Sequence, residues 1–136
     1  MNEKWLKLTK KYEGLNLSPY TCPAGHLTIG YGHNLENGIT LEIAELLLKS
    51  DMAVAKMEVG RSLPWSNRLD EVRQFVLVDM CFNMGLKKLL TFKKMLAALE
   101  KGYYERASYE MLNSRWAGQV GHRATELAKM MKKGEY

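Results

Sequence analysis

Glu13, Cys22 and Thr28 bring a carboxylic acid, a thiol and a hydroxyl together in EGLNLSPYTCPAGHLTIGYGH, residues 13–33, a stretch otherwise rich in apolar and turn-forming residues. A carboxyl group that keeps its proton can hand it to a leaving oxygen, and burial favours the protonated form. A thiol acts as base or nucleophile, chiefly through its thiolate. A hydroxyl both donates and accepts, so it can hold a water in place. Singly, each residue has a plainer reading: a solvated acid, an inert turn cysteine, a common strand residue. What raises them above those readings is the elements that place them.

Residues 2–12 read as a short helix with Trp5, Leu6, Leu8 and Tyr12 on an incomplete apolar face, so Glu13 follows a helix end. Pro19, Pro23, Gly25, Gly30 and Gly32 then punctuate short extended runs, and Cys-Pro-Ala-Gly reads as the turn between two strands of a small antiparallel sheet. Helical periodicity resumes at Thr40, a suitable N-cap, with Ile43, Leu46, Leu47, Val54 and Met57 near one face and Gly60 as the stop. LPW (63–65) breaks the chain and Ser66 or Asn67 restarts it. Residues 67–84 are apolar nearly all round, which marks a helix buried inside a helical lobe, ended by Gly85. Thr91 opens another helix that stops at Gly102, and residues 104–114 and about 122–133 complete the bundle. The reading is a single α+β domain over residues 1–136. A sheet lobe at about 13–60 joins through a long helix to a helical lobe at about 61–136, to which helix 1–12 belongs, with a cleft where sheet meets helices.

The bulk properties are compatible with this. A chain of 136 residues with 46% apolar and 26% charged residues can bury a core without staples. A net charge of +5 suits an anionic partner such as a wall polymer, and equally suits solubility alone. Cys22 and Cys81 are too few for a disulfide scaffold and have no metal-ligand spacing, so no metal site is expected from them. MNEKWLKLTKKYEG lacks the apolar run of a secretory signal or membrane span, so folding in a reducing cytoplasm is expected, without stable membrane insertion. The basic residues are scattered and match no nucleic-acid reading motif, so no nucleic-acid partner is expected.

The spacing E-x8-C-x5-T of Glu13, Cys22 and Thr28, together with TIGYGH (28–33), LDEVRQFVLVDMCFNMG (69–85) and NSRWAGQVGHRA (113–124), resembles the phage-type lysozymes. These are the muramidases of glycoside hydrolase family twenty-four. The segments come in the family's order and span nearly the whole chain. The resemblance implies a lysozyme-like fold and an endolysin-type muramidase. Such an enzyme hydrolyses the β-1,4 bond between N-acetylmuramic acid and N-acetylglucosamine in bacterial peptidoglycan, without a cofactor. It also implies a monomer that waits in the host cytoplasm until a membrane pore, linked to it only functionally, lets it reach the periplasm and wall.

Glycosidic cleavage needs a proton donor and, on the opposite face, a supplier of water or a nucleophile. The resemblance makes Glu13 the acid. Much of the family carries Asp where this chain carries Cys22. Three roles stay open for the thiol: a thiolate base that activates water, a nucleophile that forms a glycosyl-enzyme, or a polar group that helps Thr28 place a water. Water activation or placement is favoured by analogy. The family pattern also implies supporting roles for Phe82, Asn83 and Arg123. Phe82 would pack on a sugar ring, Asn83 would bond an N-acetyl group and Arg123 would reach Glu13. It further implies an ion pair of His33 with Asp51, while Cys81 reads as inert core. The alternatives are a lytic transglycosylase on the same bond, kept open by the missing Asp, and a catalytically idle wall-binding or partner-binding module of the same fold.

Overall fold

Asn2 starts the first helix, its side-chain oxygen accepting hydrogen bonds from the N–H groups of Lys4 and Trp5 at 2.9 and 3.4 Å. The structure is a computed structural model that describes all 136 residues, Met1–Tyr136. Helix α1 (Glu3–Glu13) leads to a three-stranded antiparallel sheet of β1 (Asn16–Thr21), β2 (Leu27–Gly30) and β3 (His33–Asn34), in the order β1-β2-β3. Tyr20 pairs with Thr28, Thr21 with Leu27, Thr28 with Asn34 and Ile29 with His33. The ladder between β1 and β2 is irregular between Asn16 and Tyr20. Pro19 lies in that interval and has no N–H to give to a ladder.

A 3-10 turn at Leu35–Asn37 follows, and Thr40 then caps the long helix α2 (Leu41–Ser62) by accepting the Ile43 N–H at 3.2 Å. The chain divides inside α2 into two compact units, Met1–Leu46 and Leu47–Tyr136. In the first unit Thr28, 4% exposed, is the one buried residue. Helix α1 buries none of its residues.

The second unit is helical. Helix α2 continues past Gly60, the expected stop, because Val59 and Leu63 on either side are buried in the core. Pro64 then opens a 3-10 turn, Pro64–Arg68. Asp70 caps α3 (Glu71–Met84), accepting the Arg73 N–H at 3.1 Å. As its all-round apolar sequence predicts, α3 buries Val76, Leu77, Met80 and Cys81. Full burial of one such large side chain contributes about 1.5–3 kcal/mol. Helices α4 (Leu86–Leu89), α5 (Lys93–Glu100), α6 (Tyr104–Leu112), α7 (Arg115–Val120) and α8 (His122–Lys133) complete the unit. They bring Leu89, Met95, Leu99, Met111, Trp116, Leu127 and Met131 to one core. The architecture is α+β, and no helix is long and apolar enough to cross a membrane.

A buried cation closes the end of α8. Arg73 donates from Nε to the Met131 carbonyl at 2.6 Å and from Nη2 to the Lys132 carbonyl at 2.9 Å. Its third bond runs from Nη1 to Asp70 at 3.0 Å, and its guanidinium lies 3.5 Å from the Tyr104 ring centroid. The last carbonyls of a helix have no partners of their own, and Arg73 supplies them. Burial works against ionisation of Asp70, but the Arg73 N–H, guanidinium and charge outweigh it and hold Asp70 below the usual carboxylate range.

Candidate active site

The turn expected at Cys-Pro-Ala-Gly joins β1 to β2. Gly25 N–H donates to the Cys22 carbonyl at 2.8 Å, with Pro23 in the position where a fixed φ helps. Cys22 N–H donates to the His26 carbonyl at 2.9 Å. The same carbonyl accepts the Thr28 hydroxyl, Oγ1 to O 2.9 Å. One backbone oxygen therefore orders both the thiol-bearing residue and the hydroxyl-bearing one. His26 is a residue that spacing did not single out, because a carbonyl leaves no mark on residue type. Its ring is tied in turn to Glu36, Nδ1 to Oε2 2.8 Å.

This environment favours the thiolate of Cys22. The backbone N–H of His26 is the main cause, opposed by partial burial. Smaller contributions come from the N–H of Ala24, the Thr28 hydroxyl alongside and the N–H of Gly25. The result holds the thiol below its ordinary pKa. The Thr28 hydroxyl donates to the His26 carbonyl and can turn its one proton to the Cys22 thiolate, and its lone pairs can accept a hydrogen bond from water.

Glu13 is the last residue of α1 and is exposed. Its side chain lies over Gly32, where an added Cβ would fall 2.8 Å from Glu13 Cδ. Within the first unit, then, the acid rests on the turn after β2, and Thr28 stands on β2 itself. His33, on β3, bonds through Nε2 to the Gly38 carbonyl at 3.0 Å. The ordered partner of its ring is thus the backbone oxygen of Gly38, just past the 3-10 turn that follows β3.

The remaining expected residues belong to the second unit. Asp51, Phe82 and Cys81 line a hollow of about 220 Å³ with Val54, Ala55 and Glu58. Burial, with the Glu58 carboxylate adding to it, pushes the Cys81 thiol up, as an inert core cysteine requires. Asn83 receives the indole N–H of buried Trp116 on Oδ1 at 2.8 Å, which fixes its amide and leaves the NH₂ group outward as a donor. Arg123 makes a bidentate pair with Asp79, Nε to Oδ2 and Nη2 to Oδ1, both 2.9 Å. Asp79 is therefore the ordered partner of the arginine expected to reach Glu13. A larger hollow of about 540 Å³ has Phe92, Trp116 and Glu110 in its lining and Lys88, Lys93, Lys94 and Arg115 around it.

The sequence model of the phage lysozyme family matches residues 10–133 of this chain. An endolysin of Acyrthosiphon pisum secondary endosymbiont phage 1 is 35% identical, over 98% of this chain and 91% of its own. A probable T4-type lysozyme of Dictyostelium discoideum is 27% identical, over 93% of this chain and 92% of its own. The pre-baseplate central spike protein of Enterobacteria phage T4 is 25% identical over 98% of this chain, which corresponds to 28% of that protein.

Proposed function

Because this chain belongs to the phage lysozyme family, we propose that it is an endolysin-type muramidase acting as one lysozyme-like domain. It hydrolyses the β-1,4 bond between N-acetylmuramic acid and N-acetylglucosamine of bacterial peptidoglycan. Glu13 protonates the leaving oxygen. Thr28 holds the attacking water by accepting a hydrogen bond from it, and the Cys22 thiolate takes one proton from that water as general base while the remaining O–H becomes bonded to the anomeric carbon. Attack by water from the face opposite the leaving group inverts the anomeric centre.

The observation that carries this reading is the shared carbonyl of His26. It orients the Cys22 backbone and the Thr28 hydroxyl together in a turn whose N–H groups favour the thiolate. A thiol with no such environment would be only a few per cent ionised near pH 7. In the second unit, Asn83 offers its amide donors to a sugar N-acetyl group and Phe82 offers a ring face, while Arg123 is held by Asp79. The match to an endolysin over nearly the whole of both chains supports peptidoglycan as substrate. It also supports action on the cell wall; release from the host cytoplasm through a membrane pore is part of the same proposal.

Digestion of purified peptidoglycan in ¹⁸O-labelled water, followed by anomeric NMR and mass spectrometry, tests the proposal. New reducing ends of inverted configuration that carry solvent oxygen are expected. Anhydro-muramic ends would show a transglycosylase instead, retained ends would make Cys22 a nucleophile, and no cleavage would leave a binding module.

A further inference from the structure

The turn between β2 and β3, Gly30-Tyr31-Gly32, contains two glycines in the left-handed region, with φ of 71° at Gly30 and 78° at Gly32. Their surroundings differ. A Cβ added at Gly30 would meet nothing within 4 Å. One added at Gly32 would fall 2.8 Å from Glu13 Cδ and 3.3 Å from its Cγ, and would overlap Oε2. Conformation alone explains Gly30, whereas Gly32 also gives up the space in which the carboxylate lies. Between them, the Tyr31 ring carries the Lys10 ammonium 5.4 Å from its centroid. Lys10 and Glu13 are three residues apart and so share one face of α1. The last turn of α1 therefore rests on this hairpin turn at two points.

We propose that Gly30-Tyr31-Gly32 is the seat of the acid, and that Gly32 is a positioning residue for Glu13. The proposal rests on Glu13 being the general acid. The bare backbone at Gly32 lets the carboxyl group lie against the hairpin, and the Lys10–Tyr31 contact sets how α1 presents it. Thr28 is on the strand that runs into the same turn, two residues before Gly30. One hairpin thus carries the water-holding hydroxyl and seats the proton donor. The contact of the Glu13 side chain with Gly32 ties the acid on α1 to the hairpin that carries Thr28. A displacement of about 1 Å in such a constellation can cost on the order of 100-fold in rate.

The test compares Gly32→Ala with Gly30→Ala by turnover of purified peptidoglycan and by thermal unfolding. Both variants carry the same left-handed strain, so that strain cancels in the comparison. Gly32→Ala is expected to lower kcat at least about tenfold below Gly30→Ala, with apparent KM within about twofold. In a Glu13→Asp background the carboxyl carbon withdraws to the Cγ position, and adding Gly32→Ala is expected to cost less than about threefold. Equal kcat in the two alanine variants, or an undiminished loss in the Glu13→Asp background, would overturn the seat. Should Gly32→Ala not fold, Glu13→Ala/Gly32→Ala decides. Folding regained to the level of Gly30→Ala supports the proposal, and folding still lost overturns it. Full turnover by Glu13→Gln overturns the general-acid reading and the seat with it. Loss in Glu13→Gln without a Gly32 effect overturns the seat alone.

Discussion

The two units of this chain are built by different physics. Residues Met1–Leu46 bury one side chain, Thr28, and owe their geometry to turns and hydrogen bonds: Gly25 to Cys22, Cys22 and Thr28 to one carbonyl, His26 to Glu36. Residues Leu47–Tyr136 enclose Leu77, Met80, Leu89, Met95, Leu99, Met111 and Met131 at 1% exposure or less. The proposed chemistry sits in the unit with almost no core. A site held by backbone geometry tolerates loss of a side-chain function without loss of the fold, because few of its side chains are structural. A packed unit has the opposite vulnerability.

The largest effect expected from this contrast is at Glu13. Glu13→Gln should lower peptidoglycan turnover about 10²–10⁴-fold, the range of a general acid. Its melting temperature should stay within about 2 °C of the parent, since substitution at an exposed site changes stability by less than about 0.5 kcal/mol. A melting shift near 10 °C would break the comparison by making the acid structural. The converse experiment is Met80→Ala, at a site 0% exposed. Urea unfolding should show a loss of about 2–5 kcal/mol, with turnover by the folded protein nearly unchanged. A stable Met80→Ala that had lost activity would erase the distinction between the units.

The cysteines sharpen it further. Iodoacetamide should modify Cys22 with a rate midpoint below about pH 8.5, the value of an ordinary thiol, while Cys81 stays protected until unfolding. Activity that needs the thiolate should persist below that pH and fall as pH drops through the lowered pKa. Modification at Cys22 that left turnover intact would remove the thiolate from the mechanism. The smallest effect is Asp70→Asn, which keeps the cap but loses the charge facing Arg73, worth about 0.2–1 kcal/mol for a partly exposed pair. Because the folded pKa of Asp70 is depressed, its contribution is present above the unfolded value, near 3.9. It is lost as pH falls through the folded one. The stability gap between parent and variant should close on acidification, and a gap that persists at about pH 2 would assign the effect to packing.

Much of the fold was legible because local rules agree with the tertiary result. The period of residues 122–133 gives α8 with those same bounds, and α3 runs to Gly85 with an apolar surface on nearly every side. Gly60 misled because propensity is weak beside two buried neighbours, Val59 and Leu63. Thr91 was expected to open α5, but Phe92 separates it from Lys93, and its hydroxyl bonds the Lys88 carbonyl instead, at 2.6 Å. The short helices α4 and α7 have too few residues to show a period, and Ser114 as the cap of α7 went unread.

The site divides in the same way. The resemblance of several segments in register is what singled out Glu13, Cys22 and Thr28 as candidates, and local turn chemistry put a turn at Cys-Pro-Ala-Gly. Only the tertiary structure decided that the His26 carbonyl serves Cys22 and Thr28 together and that Gly32 makes room for the acid. It alone decided that Trp116 holds Asn83 and that Asp79 takes the guanidinium of Arg123, 44 residues away in sequence. Hydrogen-bond partners and close approaches depend on distances in space. Residue type shows what a group can bond, and folding selects what it does bond.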